Sequence, residues 1–589
     1  MSDLAARAGY LSLVALGGWW AVSANSPDVS QQQQPEAERL SVPMSAPVEV
    51  VKRMKERSGP IRVSGDHAAY VGTRAYPIQM TSVKPRAATA KSGAVKVAGG
   101  ARIESPLSDS QLSAAITRAE QSANRVPANR QQSRRRGPII LNSFEAIGAE
   151  DCCVDPVPFG ATVPPDPDIT AGPDHVIVVV NVTFAIYDKA GNELQPPTAF
   201  SEFFAGVDPA CEPGGPFDPD VVYDESTGQY ILGVDGAGTD YCIAATTDGD
   251  PLGTWNRFAF PADIDGEFFD FPHMGVGTDA IYVGSNQFTA SFVGGRIFAV
   301  NKDDLLNGDP IRVVQRLVPD FNSTPQPAQL RGANDGTFPT EGPNYFMTEV
   351  FDGPTHSVWA WDAPFGADVL TKLGDVDLAT ASKLACADGS CFPVSVPQAG
   401  SDVLLAGNDW RGQETEFRNG KLWTTQTVSC DPGTGVVNCA RWAQIDPAEV
   451  TVGASTDGVI RAGVLTARDG VHRFFPSLAV DRCENMAIGY TKSSDSMFPS
   501  VAASGRLAVD PMNRLRADSD IVAGTEAYRS FQDPGAPNRW GDYTGMATDP
   551  DGRRFWYVGQ YAAESDNVNA NWKTFVAELT FGCRLPLPN

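Results

Sequence analysis

A chain of 589 residues is too long for one ordinary domain, so its length predicts several domains or one large repeat architecture. With 42% hydrophobic residues it can bury a sizeable core, and 56 glycines and 45 prolines exceed what a helical protein of this length needs. A formal net charge of −25 excludes nucleic acid and anionic membranes as partners, because the chain cannot supply the cations their phosphates demand. Calcium binding, solubility in salt and cationic partners all suit such a surface, and plain colloidal solubility is the simplest account of it.

The first residues read as an export signal. Tyr10 to Val22 is rich in Leu, Val, Ala and Trp, and Val22-Ser23-Ala24 offers the small residues of a cleavage site. The run is too short to span a bilayer, and no later stretch is long and apolar enough. Residues 1–24 are therefore expected to be a signal peptide, and the protein to be secreted, periplasmic or displayed at the cell surface.

Residues 25–137 form a second segment of net charge +9, against −34 for everything from Pro138 onward. Gln31 to Gln34, scattered Ala, Ser and Pro, and few aromatics leave little to bury, so the segment should be mostly disordered. Short helices are expected at Val48 to Arg57 and after Ser108, where Leu112, Ala115, Ile116 and Ala119 share a face. The closing Arg134-Arg135-Arg136-Gly137 reads equally as a processing site or a solvated linker. Its charge suggests that the segment lies against the acidic remainder as a propeptide or cover.

From Ile139 the pattern changes to short apolar runs separated by Gly, Pro, Asp and Asn. A polar or Pro-containing approach, a strand, an Asp-containing turn and a second strand recur at 166–181, 217–234, 269–286, 474–490 and 539–561. Less regular units lie at 343–362 and 404–446. The steps from Asp168 to Asp220 and from Asp220 to Asp270 are 52 and 50 residues, the period of a propeller blade with four short strands. Runs such as VIVVVN and YILGVDG are apolar on both faces, as strands between neighbouring blades must be. The expected fold is an all-β propeller over residues 138–589 with seven blades, six or eight also fitting the spacing.

Ten cysteines without a CxxC or Cys/His cluster favour disulfides over zinc. Cys386/Cys391 and Cys430/Cys439 are close in sequence, Cys211/Cys242 flank a strand pair, Cys483/Cys583 could fasten the last two blades, and Cys152 and Cys153 stay unassigned.

The motifs PPDPDITAGPDHVIVVVN, FDPDVVYD, CIAATTDGDPLGTWNRFAF, FPSLAVDRCENMAIGY and RWGDYTGMATDP resemble bacterial secreted propellers related in appearance to the sialidase/BNR (Asp-box) repeat proteins. Thr246 to Trp255 resembles an Asp-box with extra residues before Gly253. The resemblance implies a structural turn, its Asp bonding backbone amides and its Trp packing between strands. The arginine cluster of a sialidase has no early counterpart here.

Ligands of propellers bind over the central channel, so the repeated strand-start positions are the candidates. Asp220, Asp270, Glu349 and Asp542 come from different units and could supply the two carboxyl groups of glycoside hydrolysis, with Asp218 beside them. Strand-start Asp residues that bond backbone amides are the simpler reading of Asp220 and Asp270. His273 could act as a lyase base with Tyr543; packing is the commoner role for a lone His, and His175 reads as structural. Arg539, Trp540 and Tyr543, with Asp542, combine a planar cation, aromatics and a carboxylate, as sugar sites do; an ion pair and an aromatic plug between blades use the same residues. Arg411 and Glu416 belong to the fifth unit. Oxygen-rich turns at Asp481-x-Cys483-x-Asn485 and Asp549-x-Asp551-Gly552, and Asp166/Asp168, suit a structural calcium. GxSxG, Walker and HExxH motifs are absent from the sequence. The expected function is a secreted propeller that acts on or binds extracellular glycans, the alternative being a non-catalytic surface-protein scaffold.

Overall fold

The computed structural model describes residues 68–74, 77–83, 135–151 and 163–583, except 213–215, 320–321, 351–354, 384–390, 408–409, 531–536 and 566–569; isolated positions 110, 114 and 117 are helical. The expected signal peptide, the Val48 to Arg57 helix and Cys152/Cys153 lie outside these residues.

Seven blades, each built on antiparallel strands, turn about one axis, with short parallel additions in two of them. Their innermost strands are Asp168–Ala171, Pro216–Asp224, Phe268–Val276, Ser323–Pro327, Gly412–Arg418, His472–Val480 and Gly545–Thr548, which we number as blades 1 to 7. Blade 7 takes its outermost strand from Ile139–Gly148, at the other end of the domain, so the ring closes by pairing the first strand with the last. The fourth unit differs in one respect from its sequence reading. Residues 343–362 supply its second and third strands, and its inner strand lies earlier, at Ser323–Pro327.

One local device recurs in five inner strands. Asp166, Asp218, Phe271, Thr324 and Phe475 all adopt a positive φ between 44° and 55°, and a proline follows each of them. Proline has no N–H to give the ladder, and in blades 2, 3, 4 and 6 the strand register shifts at this point, the mark of a β-bulge. The bulge redirects the residues around the proline. Arg411-Gly412-Gln413 and Asp542-Tyr543-Thr544 occupy the corresponding places in blades 5 and 7.

Blades meet closely enough to require glycine. A Cβ on Gly284, in the second strand of blade 3, would sit 1.9 Å from the Pro325 carbonyl oxygen of blade 4's bulge. The blade faces are otherwise filled with Val, Ile, Phe, Tyr and Trp in apolar clusters between neighbouring sheets.

Three disulfides join Cys211 to Cys242, Cys430 to Cys439 and Cys483 to Cys583; Cys391 is also disulfide-bonded, and its proposed partner Cys386 lies outside the described residues. The Cys483–Cys583 bond ties a turn of blade 6 to the chain after blade 7, as its spacing suggested.

Part of the basic segment is docked. Ala68–Val71 pairs with the outer strand of blade 3, and Thr73–Arg74 and Ile78–Gln79 pair with that of blade 2. Met80 and Val83 are buried among Phe203, Phe204 and Trp255. Ladder hydrogen bonds and apolar burial hold this stretch, where charge complementarity was the expected cause. Further on, Arg135 pairs with Asp510 at 2.9 Å.

Gly284→Ala is expected to lower stability by about 1–3 kcal/mol or more, because the obstructing atom is backbone and the strands cannot part without breaking the ring. Chemical denaturation of the full chain reads this directly.

Candidate functional site

The bulges arrange channel side chains in two successive rings. The front ring, on the face where inner strands begin, holds Asp166, Asp218, Phe271, Thr324, Arg411, Phe475 and Asp542. The next ring holds the residues after the prolines, with their counterparts: Asp168, Asp220, His273, Gln326, Gln413, Ser477 and Thr544. The members of this second ring, except Ser477, line a central cavity of about 30 Å³, together with Gln329, Arg331, Glu414, Thr415 and Tyr543.

Acids of the front ring tie blades together. Asp166 Oδ1 accepts from the Asp542 amide at 2.7 Å, across the closure of the ring, and its Oδ2 accepts from Asn181 Nδ2 at 2.8 Å. Asp218 Oδ2 accepts from the Phe271 amide at 3.3 Å. Burial, then the neighbouring carboxylates, push Asp166 and Asp218 well above the usual carboxyl range. Asp542 is placed oppositely. Arg539 forms an ion pair with it, and Arg411 Nη2 lies 3.7 Å from its other oxygen. Arg411 also stacks 4.0 Å above the Phe271 ring. Asp270 lies beside the bulge opposite Asn286, and its charge helps to raise Asp218. Glu349, at the end of blade 4's second strand, accepts from the Gly412 amide and stands 4.0 Å from His356.

The second ring repeats this logic one layer down. Asp168 Oδ2 accepts from the Val221 amide at 2.9 Å, and Asp220 Oδ2 accepts from the Met274 amide. Burial pushes Asp168 up to about 6, and burial and then the Asp168 charge push Asp220 well above its ordinary value. Glu414 is likewise raised by burial and then by Asp168.

The remaining candidates divide by burial and contact. Burial and then the Arg411 charge push His273 down to about 3, so its imidazole is neutral. It packs against Phe271 and Tyr543 at centroid distances of 4.6 and 5.2 Å, and so weak a base is poorly suited to abstracting a sugar proton. Tyr543 lines the cavity and donates to the Pro219 carbonyl at 3.1 Å. Trp540 is fully buried, its ring 4.8 Å from Tyr528 and its Nε1 donating to Thr491 at 3.2 Å. Glu416 lies toward the rear face, accepting from the Val480 amide.

The described parts of two long connections lie over the front face, because each outer strand hands the chain to the next inner strand there. Residues 378–411 and 523–544 join through Leu405 and Asn538, and through Gln398 and Tyr528. Trp540 belongs to this packing, so it holds the covering connections in place.

Nitrogen donors occupy the turn carboxylates considered for calcium. Asp481 accepts from the amides of Cys483 and Asn485 and from Asn485 Nδ2. Asp549 bonds Lys189, Arg554 and Trp556 Nε1. The Thr246 to Trp255 turn is structural: Asp248 accepts from the Asp250 amide, and the buried Trp255 donates to the Pro251 carbonyl at 2.9 Å.

Gln326, Gln413, Glu414 and Arg331 escaped the sequence reading. The signal for the first was available, since Thr324-Pro325-Gln326 repeats the spacing of Asp218-Pro219-Asp220 and Phe271-Pro272-His273.

No family model matches the chain, and no curated protein matches it in sequence. Solved structures with a similar fold include a protein of unknown function from Dyadobacter fermentans, at 9% identity over 76% of this chain and 99% of that one, with a TM-score of 0.32. Another is the GH93 α-L-arabinofuranosidase of Fusarium graminearum with arabinobiose, at 11% identity over 61% and 92%, TM-score 0.34. The Nup133 β-propeller domain of Vanderwaltozyma polyspora aligns at 8% identity over 70% and 93%, TM-score 0.34. Likenesses this slight carry no argument about chemistry.

Two outcomes follow from the site's packing and charge. Trp540→Ala should cost about 3–5 kcal/mol of stability by leaving a cavity, which denaturant titration would measure. Asp168 and Asp481 are raised to about 6 and Glu416 to about 7, so the folded state binds protons that the unfolded chain releases. Their contribution is complete below their ordinary values and is lost as pH rises through 6 to 7. In chelator-containing buffer the melting temperature should therefore fall by roughly a few °C between pH 5 and pH 8, and Asp168→Asn should flatten the slope.

Proposed function

We propose that the protein is an exported propeller that acts on extracellular glycans at the front mouth of its channel. The supporting observation is the contrast between two carboxyl groups there. Asp218 is pushed well above the usual carboxyl range by burial and like charge, which favours its protonated form, while Asp542 is flanked by Arg539 and Arg411. Glycoside cleavage needs one carboxyl as proton donor and a second in its ionised form, set apart by environment. In this reading Asp218 protonates the leaving oxygen, and Asp542 stabilises or attacks the sugar carbon directly or through water. Asp270 maintains the charge that keeps Asp218 protonated. Arg411, stacked on Phe271, offers hydroxyl-directed donors beside an aromatic surface. The ligand sits above the front ring, because a cavity of about 30 Å³ is too small for a saccharide ring. Asp220 then lies too deep to touch the sugar.

A second reading has its own support. Asp166, Asp168, Asp218 and Asp220 each accept a backbone amide of a neighbouring blade, which is a complete structural role and suits a non-catalytic surface scaffold.

A glycan array run beside a hydrolase and lyase product screen separates the two. The enzyme reading expects product from at least one glycan class, and a loss of 100-fold or more in turnover for Asp542→Asn and Asp218→Asn with the melting temperature held. Salt-sensitive protein binding, with no glycan bound and no product, would establish the scaffold instead.

A further inference from the structure

The second ring gathers more carboxyl groups than cations. Asp168, Asp220 and Glu414 line the central cavity, and Arg331 is the one arginine or lysine on its wall among the described residues. That guanidinium is already shared by Glu225 and Glu416, each 3.8 Å away. His273 is neutral.

A second observation is independent of charge. Three oxygens on the same wall have no hydrogen-bond partner although they are buried: Gln329 Oε1, Gln413 Oε1 and Thr415 Oγ1. Their residues are only 7%, 5% and 1% exposed. Both amides are anchored through nitrogen, Gln329 to the Met274 carbonyl and Gln413 to the Arg411 carbonyl, each at 3.4 Å. The oxygen of each is the end left over. A buried polar atom without a hydrogen-bond partner costs about 1–3 kcal/mol, and His273 Nε2, Gln326 Nε2 and Arg331 Nε on the same wall also lack one, so the cavity calls for a bound polar species and the oxygens are the ends that a cation takes.

We propose that this ring binds a divalent, oxygen-preferring cation of the calcium class. Carboxylate, amide and hydroxyl oxygens form a hard ligand set, and no thiolate is among them. A cavity of about 30 Å³ has room for a cation with one or two waters. Through Asp168 and Asp220 the ion bridges blades 1 and 2. Glu414 and Gln413 extend the bridge to blade 5 across the axis. The site lies one ring below the proposed glycan mouth and does not depend on it.

The test uses the full chain after chelator treatment, with CaCl2 in equilibrium dialysis read by elemental analysis and with terbium luminescence sensitised through Tyr543. The expected results are about one ion per chain, terbium emission displaced by calcium, a higher melting temperature in calcium, and affinity at least tenfold weaker at pH 5 than at pH 8. Glu414→Gln should weaken binding at least tenfold yet melt no lower than the parent in chelator, since it removes a like charge. Asp220→Asn should do the same to binding, and Glu414→Gln decides alone if that variant does not fold. Asp551→Asn, in a rear-face turn, should bind as the parent does. No ion above the dialysis blank, or parental binding by Glu414→Gln, overturns the proposal.

Discussion

Seven sheets that share an axis bring their inner strands close together, and in five of them a left-handed residue followed by proline ends the regular ladder there. The proline withholds its amide from the ladder, the register slips, and the strand bends where the blades converge. Gly284 shows how little room remains, with its α-carbon almost against the bulge of the next blade. The same bend exposes amides at Val221, Phe271, Met274 and Asp542 that no strand partner can accept. Carboxylates of adjoining blades take them up.

That arrangement explains why so much acid is buried at the axis. Each carboxylate satisfies a backbone donor that would otherwise be orphaned, and the cost is mutual repulsion. The protein meets it in three ways: a raised proton affinity at Asp166, Asp218 and Asp220, arginine pairing at Asp542, and, in our proposal, a cation beside Asp168 and Glu414. Structural ties and chemically poised acids are therefore the same residues seen at different depths. Front-ring acids differ from second-ring acids mainly in having two arginines within reach.

Closure is handled away from the axis. The Ile139–Gly148 strand completes blade 7, the Cys483–Cys583 bond secures its far side, and strands from residues 68–79 lengthen blades 2 and 3. Edge strands invite foreign pairing, and covering two of them with the chain's own upstream segment removes that hazard.

The propeller was legible in the order of residues because blade packing is written locally. Doubly apolar strands, Asp-containing turns and a spacing of 52 and 50 residues each reflect one sheet and its neighbours. The cysteine pairs Cys211/Cys242, Cys430/Cys439 and Cys483/Cys583 were legible for the same reason. The inner strand of blade 4 was hidden because Ser323–Pro327 is short and polar, and only its bulge marks it. Burial and partnership at the axis could not be read in advance. Whether Trp540 faces a ligand or a core, whether Asp549 meets a metal or Lys189, and whether Asp168 touches Asp220 depend on segments brought together around a closed ring. Those contacts are fixed by rotation about a shared axis, a relation that no single stretch of sequence contains.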